Sequence, residues 1–152
     1  NYDVLVFCVR NIETVIIPSF IEIIESHSFE NCSKLQLCEF QPNSKLKKIC
    51  YCAFHKSSIK KISIPSSVIE IDHKAFYECQ ELQQVEFQKD SKLQIIGNLA
   101  FDNTSIKEIC IPPNIMNIGS CSFRCEKLQH VLIPFNTKLR TFESCVFSSS
   151  SI

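Results

Sequence analysis

Ten cysteines and four histidines in 152 residues are the first chemistry this sequence offers. Cysteine at that density can close disulfides, hold zinc or supply a thiolate nucleophile. Zinc calls for paired ligands, and no Cys-x-x-Cys occurs. Cys50 and Cys52 stand too close together, and Cys121 with Cys125 has no second ligand pair nearby. Cys52 followed by His55 suggests a thiol–imidazole dyad, but no third group is apparent to orient the ring. The remaining histidines, His27, His73 and His130, belong to no His-Glu-x-x-His motif. No Gly-x-Ser-x-Gly is present, and two glycines cannot build a phosphate-cradling loop. The expectation is a protein that is not an enzyme and uses no metal or cofactor.

Composition narrows the partners. Sixteen basic and sixteen acidic side chains give a net charge of zero. There is no cationic excess to release counterions, which argues against nucleic acid and anionic membranes. No apolar run approaches the roughly 20 residues of a membrane span. The chain is 45% hydrophobic and 21% charged, so it is not disordered, and its length suits one domain. It begins at Asn1 without a visible secretory leader, and reads as a processed or excised piece.

What positions these residues is a repeat. Seven of the twelve phenylalanines, Phe7, Phe29, Phe54, Phe76, Phe101, Phe123 and Phe147, follow one another at steps of 22, 25, 22, 25, 22 and 24 residues. The residue before each is small: Val6, Ser28, Ala53, Ala75, Ala100, Ser122, Val146. Five before each is a large apolar residue: Tyr2, Ile24, Ile49, Ile71, Ile96, Ile118, Phe142. Another apolar residue stands eight before, from Ile21 and Leu46 through Leu139. After each Phe comes apolar-x-x-apolar-x-apolar, as in Ile59/Ile62/Ile64, Leu82/Val85/Phe87 and Leu128/Val131/Ile133. Short coils turn through Pro18, Pro65 and Pro112; long coils insert two residues ahead of Asn-Ser-Lys-Leu (43–46) or its variants. With so little glycine, the turns are expected to rest on Pro, Asn, Asp and Ser.

Such a unit cannot bury its own apolar face, but stacked units can. The period-2 triplet predicts a short strand, and successive strands should lie parallel, about 4.8 Å apart. The Ala-Phe segment predicts the opposite wall. The whole of 1–152 therefore reads as one array of about six coils, alternating 22 and 25 residues.

The units 64–82 (Ile-Pro-Ser-Ser-Val-Ile-Glu-Ile-Asp-His-Lys-Ala-Phe-Tyr-Glu-Cys-Gln-Glu-Leu) and 96–112 resemble BspA-like leucine-rich repeats, the Treponema-type class. The resemblance implies an α/β-type, right-handed solenoid or horseshoe with a parallel concave sheet, Ala-Phe turns on the opposite wall and little regular helix. It also implies a surface protein of mucosal bacteria or protozoan parasites, used in adhesion and binding of host proteins. One departure is Cys125, two residues after its Phe, where Cys32 and Cys79 stand three after.

The coil frame sorts the remaining candidates. Cys32 and Cys79 are two coils apart, too far for a bridge; Cys121 and Cys145, in equivalent places of adjacent coils, are the possible disulfide, with two free thiols as the alternative. Asn31-Cys32-Ser33 and Asn103-Thr104-Ser105 are possible glycosylation acceptors in the loop after the Phe. The residues between the inward ones of each strand should face the concave side. Candidate partner-binding residues there are Ile16, Leu37, Glu39, Lys61, Gln84, Glu86, Glu108, His130 and Leu132. Ile16, Leu37 and Leu132 are apolar where water is expected, which marks a docking patch or a covering segment. Neither end reads as a polar cap, so the array is expected to continue beyond both ends or to associate end to end. Two functions stay open: a cell-surface or secreted protein-binding module, and an intracellular scaffold with ten free thiols.

Overall fold

The computed structural model describes residues 3–5 and 11–152. Tyr2, Val6, Phe7 and Cys8 fall outside them. The chain winds as a parallel-strand solenoid of about five turns, and no described residue is helical. Among the described residues thirteen strands lie in two stacks, alternating along the chain. The longer strands are β2 (Thr14–Ile17), β4 (Leu37–Phe40), β6 (Lys61–Ile64), β8 (Gln84–Phe87), β10 (Glu108–Cys110) and β12 (His130–Leu132). They come from the apolar-x-apolar triplets, with the inward residues Ile62, Val85 and Ile109 buried and their neighbours turned to solvent.

The other stack was not anticipated. Two-residue strands β1 (Val4–Leu5), β3 (Ile23–Ile24), β5 (Lys48–Ile49), β7 (Glu70–Ile71), β9 (Ile95–Ile96), β11 (Asn117–Ile118) and β13 (Thr141–Phe142) form a continuous seven-stranded parallel sheet. The apolar position five before each Phe supplies its buried member: Ile24, Ile49, Ile71, Ile96 and Ile118 are all fully buried. Two residues are too short to show a period in sequence.

The Ala-Phe wall closes each coil. Phe29, Phe54, Phe76, Phe101 and Phe123 are 0% exposed. Their rings, with Phe147, stack at centroid spacings from 4.7 to 5.9 Å and within 17° of parallel. The backbone runs alongside. Each Phe N–H donates to the carbonyl before the next Phe: Phe54 to Ala75 at 2.7 Å and Phe76 to Ala100 at 2.8 Å. Two further donors flank it, as Cys52 to His73 O (3.3 Å) and Lys56 to Tyr77 O (3.0 Å). Aiming three N–H groups at the next coil requires alternating left-handed residues. Among the described residues thirteen non-glycines have φ between 53° and 64°, eleven of them in this wall and two, Asn43 and Asp90, in long-coil turns. Asn and Asp hold four of these places (Asn31, Asn43, Asp90, Asn103), but His27, Cys52, Lys74, Leu99, Cys121 and Cys145 hold the column two before Phe.

The coil turns do rest on Pro, Asn and Asp, as at Pro18, Asn43, Pro65 and Asp90, whereas the wall uses other residues. Ordinary side chains accept the left-handed conformation, at about 1–2 kcal/mol each, because the inter-coil bonds over-determine it. Neither glycine has positive φ. They serve close approach instead: a Cβ on Gly97 would lie 2.5 Å from the His73 backbone nitrogen, and one on Gly119 2.5 Å from that of Asn98.

Two expected core residues are exposed. Ile133 is 42% exposed, because β12 ends at Leu132 and the chain leaves through Pro134. Phe142 is 47% exposed and meets Phe147 edge-on at 5.7 Å. Conversely, Cys125 does occupy the place of Cys32 and Cys79. Its N–H reaches back two residues to Phe123 O, and its Sγ donates to Phe101 O at 3.1 Å.

Stability should follow this geometry. Phe76→Ala is expected to cost about 3–5 kcal/mol in urea unfolding. Gly97→Ala should cost roughly 1–3 kcal/mol despite its ordinary φ, because backbone must move. Lys56→Gly, at a left-handed position, should stay within about 0.5 kcal/mol of the parent or exceed it. An unharmed Gly97→Ala variant would contradict the packing described.

Candidate partner-binding face

The outer face of the longer-stranded stack carries the predicted site. Glu39, Lys61, Gln84, Glu86, Glu108 and His130 are exposed, as alternation requires. Ile16 is 56% and Leu132 64% exposed, while Leu37 is half-buried. Two features missed in sequence sharpen this face. Close to Leu132 in the chain, Ile133 and Phe135 are exposed as well. Phe135 lies in no repeat column, so periodicity gives no signal for it.

The second feature is a pair of grooves. Strand pairing is complete where a short coil meets the following long one: four residue pairs join β2 to β4 and four join β6 to β8. It weakens where a long coil meets a short one. Only two pairs join β4 to β6, and β8 and β10 fall in separate sheets. A groove opens at each weak junction. One, of about 640 Å³, is lined by Ile16, Leu37, Phe40 and Lys61 among others. The other, of about 850 Å³, is lined by Glu86, Phe87, Glu108, His130 and Leu132 among others. The two extra residues of the long coil shape both, and its Gln braces the turn before: Gln41 Oε1 accepts from Ser19 N at 3.1 Å, Gln88 Oε1 from Ser66 N at 3.2 Å. In the third coil pair Pro113 lacks that N–H and Pro134 replaces the Gln.

Charge is arranged differently on the opposite walls. Glu30 joins two coils by accepting from His27 Nδ1 and His55 Nδ1, each at 2.8 Å. Burial pushes its carboxyl up, but the hydrogen bonds from His55 and then His27 outweigh this and hold it below the usual value. Asp102, 1% exposed, is held by Arg124 through Nε at 2.9 Å and Nη2 at 2.6 Å. Lys48 bridges Glu70 (2.9 Å) and Asp72 (3.0 Å), which raises its pKa above the ordinary lysine range.

Glu30 orients the His55 ring through Nδ1, a third group that sequence spacing does not reveal, but among the described residues no hydrogen bond joins Cys52 Sγ to His55, and burial raises the Cys52 thiol. Burial pushes Cys50 and Cys125 up to about 11 and Cys79 to about 12. Among the described residues no cluster of His, Cys, Asp and Glu can hold a metal. Cys121, half-buried, and Cys145, exposed, are neighbouring free thiols. Burial first, and Cys145 second, raise the Cys121 pKa. Asn31 and Asn103 are both exposed and left-handed, each two residues after its Phe.

Two measurements check this. Glu30 has a depressed folded-state pKa, so its stabilisation is complete above about 4.5 and is lost as pH falls through the folded value. The urea midpoint should therefore fall below pH 4.5 in the parent and fall less in Glu30→Gln. With a thiol reagent and peptide mapping, Cys110 and Cys145 should label first, and Cys79 and Cys125 only on unfolding.

The sequence matches the family described as BspA type leucine rich repeat region, with six copies over residues 4–92 and 47–152. Among solved structures it is similar to the pneumococcal vaccine antigen PcpA, at 30% identity and a TM-score of 0.79, over 82% of this chain and 31% of that one. A leucine rich repeat protein of T. pallidum is similar at 28% identity and a TM-score of 0.72, over 78% of this chain and 57% of that one. A leucine rich cell surface protein of Faecalibacterium prausnitzii shares the fold at 21% identity and a TM-score of 0.53, over 82% and 39% of the two chains. The chain thus spans less than two thirds of each of these structures. No curated protein matches it. Six repeat copies and the solenoid they build agree, and the chain belongs to the BspA-type leucine-rich repeat family.

Proposed function

We propose that this chain is a protein-binding module that docks its partner on the outer face of β2–β12, in adhesion or host-protein binding at a cell surface. The observation that carries the reading is the coincidence of two grooves with exposed Ile16 and Leu132 on one otherwise polar face. Ile16 and Leu132 stand at opposite ends of the strand stack, and each lines one of the grooves, where an apolar side chain can pack against a docked partner. The similarity to a pneumococcal antigen supports the surface setting. Leucine-rich folds serve many binding roles, so the face argues for docking more strongly than for any one ligand.

The test is a binding screen against purified extracellular host proteins. The variant Ile16→Asp, Leu37→Asp, Leu132→Asp should lose a ligand bound by the parent by at least tenfold, with an unchanged far-UV spectrum. Undiminished binding would overturn the assignment.

An intracellular scaffold is the second reading, favoured by the free thiols of Cys50, Cys52, Cys79, Cys110, Cys121, Cys125 and Cys145. Expression in the native cell discriminates. Surface export predicts glycans at Asn31 and Asn103 on mass mapping, and closure of Cys121 with Cys145 in non-reducing peptide maps. A native protein with neither modification and fully titratable thiols would favour the scaffold.

A further inference from the structure

The second outward position of the six longer strands forms one row across the face: Ile16, Glu39, Ser63, Glu86, Cys110 and Leu132. Strand register places Ile16 beside Glu39, Ser63 beside Glu86, and Cys110 beside Leu132. The row has a period of two coils. Its long-coil members are Glu39, Glu86 and Leu132; the small Ser63 and Cys110 leave notches between them. At about 4.8 Å per paired strand, Glu39 and Glu86 recur at roughly 10 Å, and the unpaired β8–β10 junction sets Leu132 at least as far beyond Glu86.

The two carboxylates lack counter-charges. Every ion pair among the described residues lies on the other walls. Glu39 is exposed with no ion pair, and Glu86 accepts only a neutral hydrogen bond, from Gln84 Nε2 at 2.6 Å. Of the outward strand residues, Glu39, Glu86 and Glu108 carry three negative charges against one positive from Lys61, for a net of −2. Phe40 and Phe87, half-buried, follow the two carboxylates directly and line the grooves. An unpaired carboxylate on a groove wall suits a long cationic side chain, whose stem packs in the groove while its head pairs.

Building on the docking reading, we propose that this row reads an extended segment of a partner protein with the pattern cation-x-x-cation-x-x-apolar, bound in a polyproline II conformation along the solenoid axis. Such a helix has three residues per turn and rises about 3.1 Å per residue, so every third side chain returns to one face after roughly 9 Å. That step matches the two-coil spacing. A β-strand does not, since its same-face side chains recur at roughly 7 and 13 Å. The cations face Glu39 and Glu86, and the apolar residue reaches Leu132.

The experiment uses fluorescein-labelled Arg-Pro-Pro-Arg-Pro-Pro-Leu and anisotropy at low salt. Saturable binding is expected, weakened at least tenfold in Glu39→Gln/Glu86→Gln and falling as salt rises. Arg-Pro-Arg-Pro-Leu and Glu-Pro-Pro-Glu-Pro-Pro-Leu should each bind at least tenfold more weakly. Far-UV spectrum and melting temperature of the variant serve as fold controls. Equal binding of the two spacings, binding untouched by the double variant, or no binding at millimolar peptide would each overturn the inference. Failure of the peptides alongside loss of a protein ligand in the Ile16/Leu37/Leu132 variant would sink this pattern and leave the docking face standing.

Discussion

Everything in this protein hangs on the wall where one coil donates three backbone N–H groups to the next, beside a stack of buried phenylalanines. Those bonds all run in one direction, from each coil to its successor, as in Phe29 to Ala53 and Phe101 to Ser122. They require left-handed residues at two columns per coil, and the chain places Lys, Leu, Cys and Glu there at a conformational cost. The cost is bearable because a buried N–H without a partner would be worse. The small residue before each Phe follows from the same crowding: Ala53, Ala75 and Ala100 are completely enclosed.

That wall, with the seven-stranded sheet, sets the spacing of the coils and so frees the longer-stranded stack to vary. Two inserted residues in alternate coils loosen its pairing at every second junction. The loosening costs ladder hydrogen bonds and yields grooves. Function and repeat length are thereby linked, since a strictly uniform repeat would give a smoothly paired sheet.

Polar chemistry is divided by wall. The Glu30 bridge, the Lys48 pair and the buried Asp102–Arg124 pair tie coil to coil away from the grooves. The buried column of Cys32, Ser57, Cys79, Thr104 and Cys125 shows thiols standing where hydroxyls also serve, with Cys79 donating to Phe54 O and Thr104 to Phe101 O. Three of the ten cysteines are therefore turn structure, and burial raises the thiols of Cys79 and Cys125.

Periodic residues were legible in the chain itself. The Phe column, the strand triplets, their outward partners and the alternation of coil length are all one-dimensional patterns, and stacking turns them into ladders with no other information. Spacing does not reveal that Glu30, 25 residues away, orients the His55 ring. Tertiary structure decided the rest. Two-residue strands are too short for a period, left-handed backbone at Leu99 or Cys145 leaves no mark in residue type, and Gly97 is small for the sake of a neighbour one coil away. The grooves and the missing counter-charges at Glu39 and Glu86 likewise depend on what lies 22 to 25 residues distant. Sequence orders residues along a coil; only stacking determines what each one meets across it.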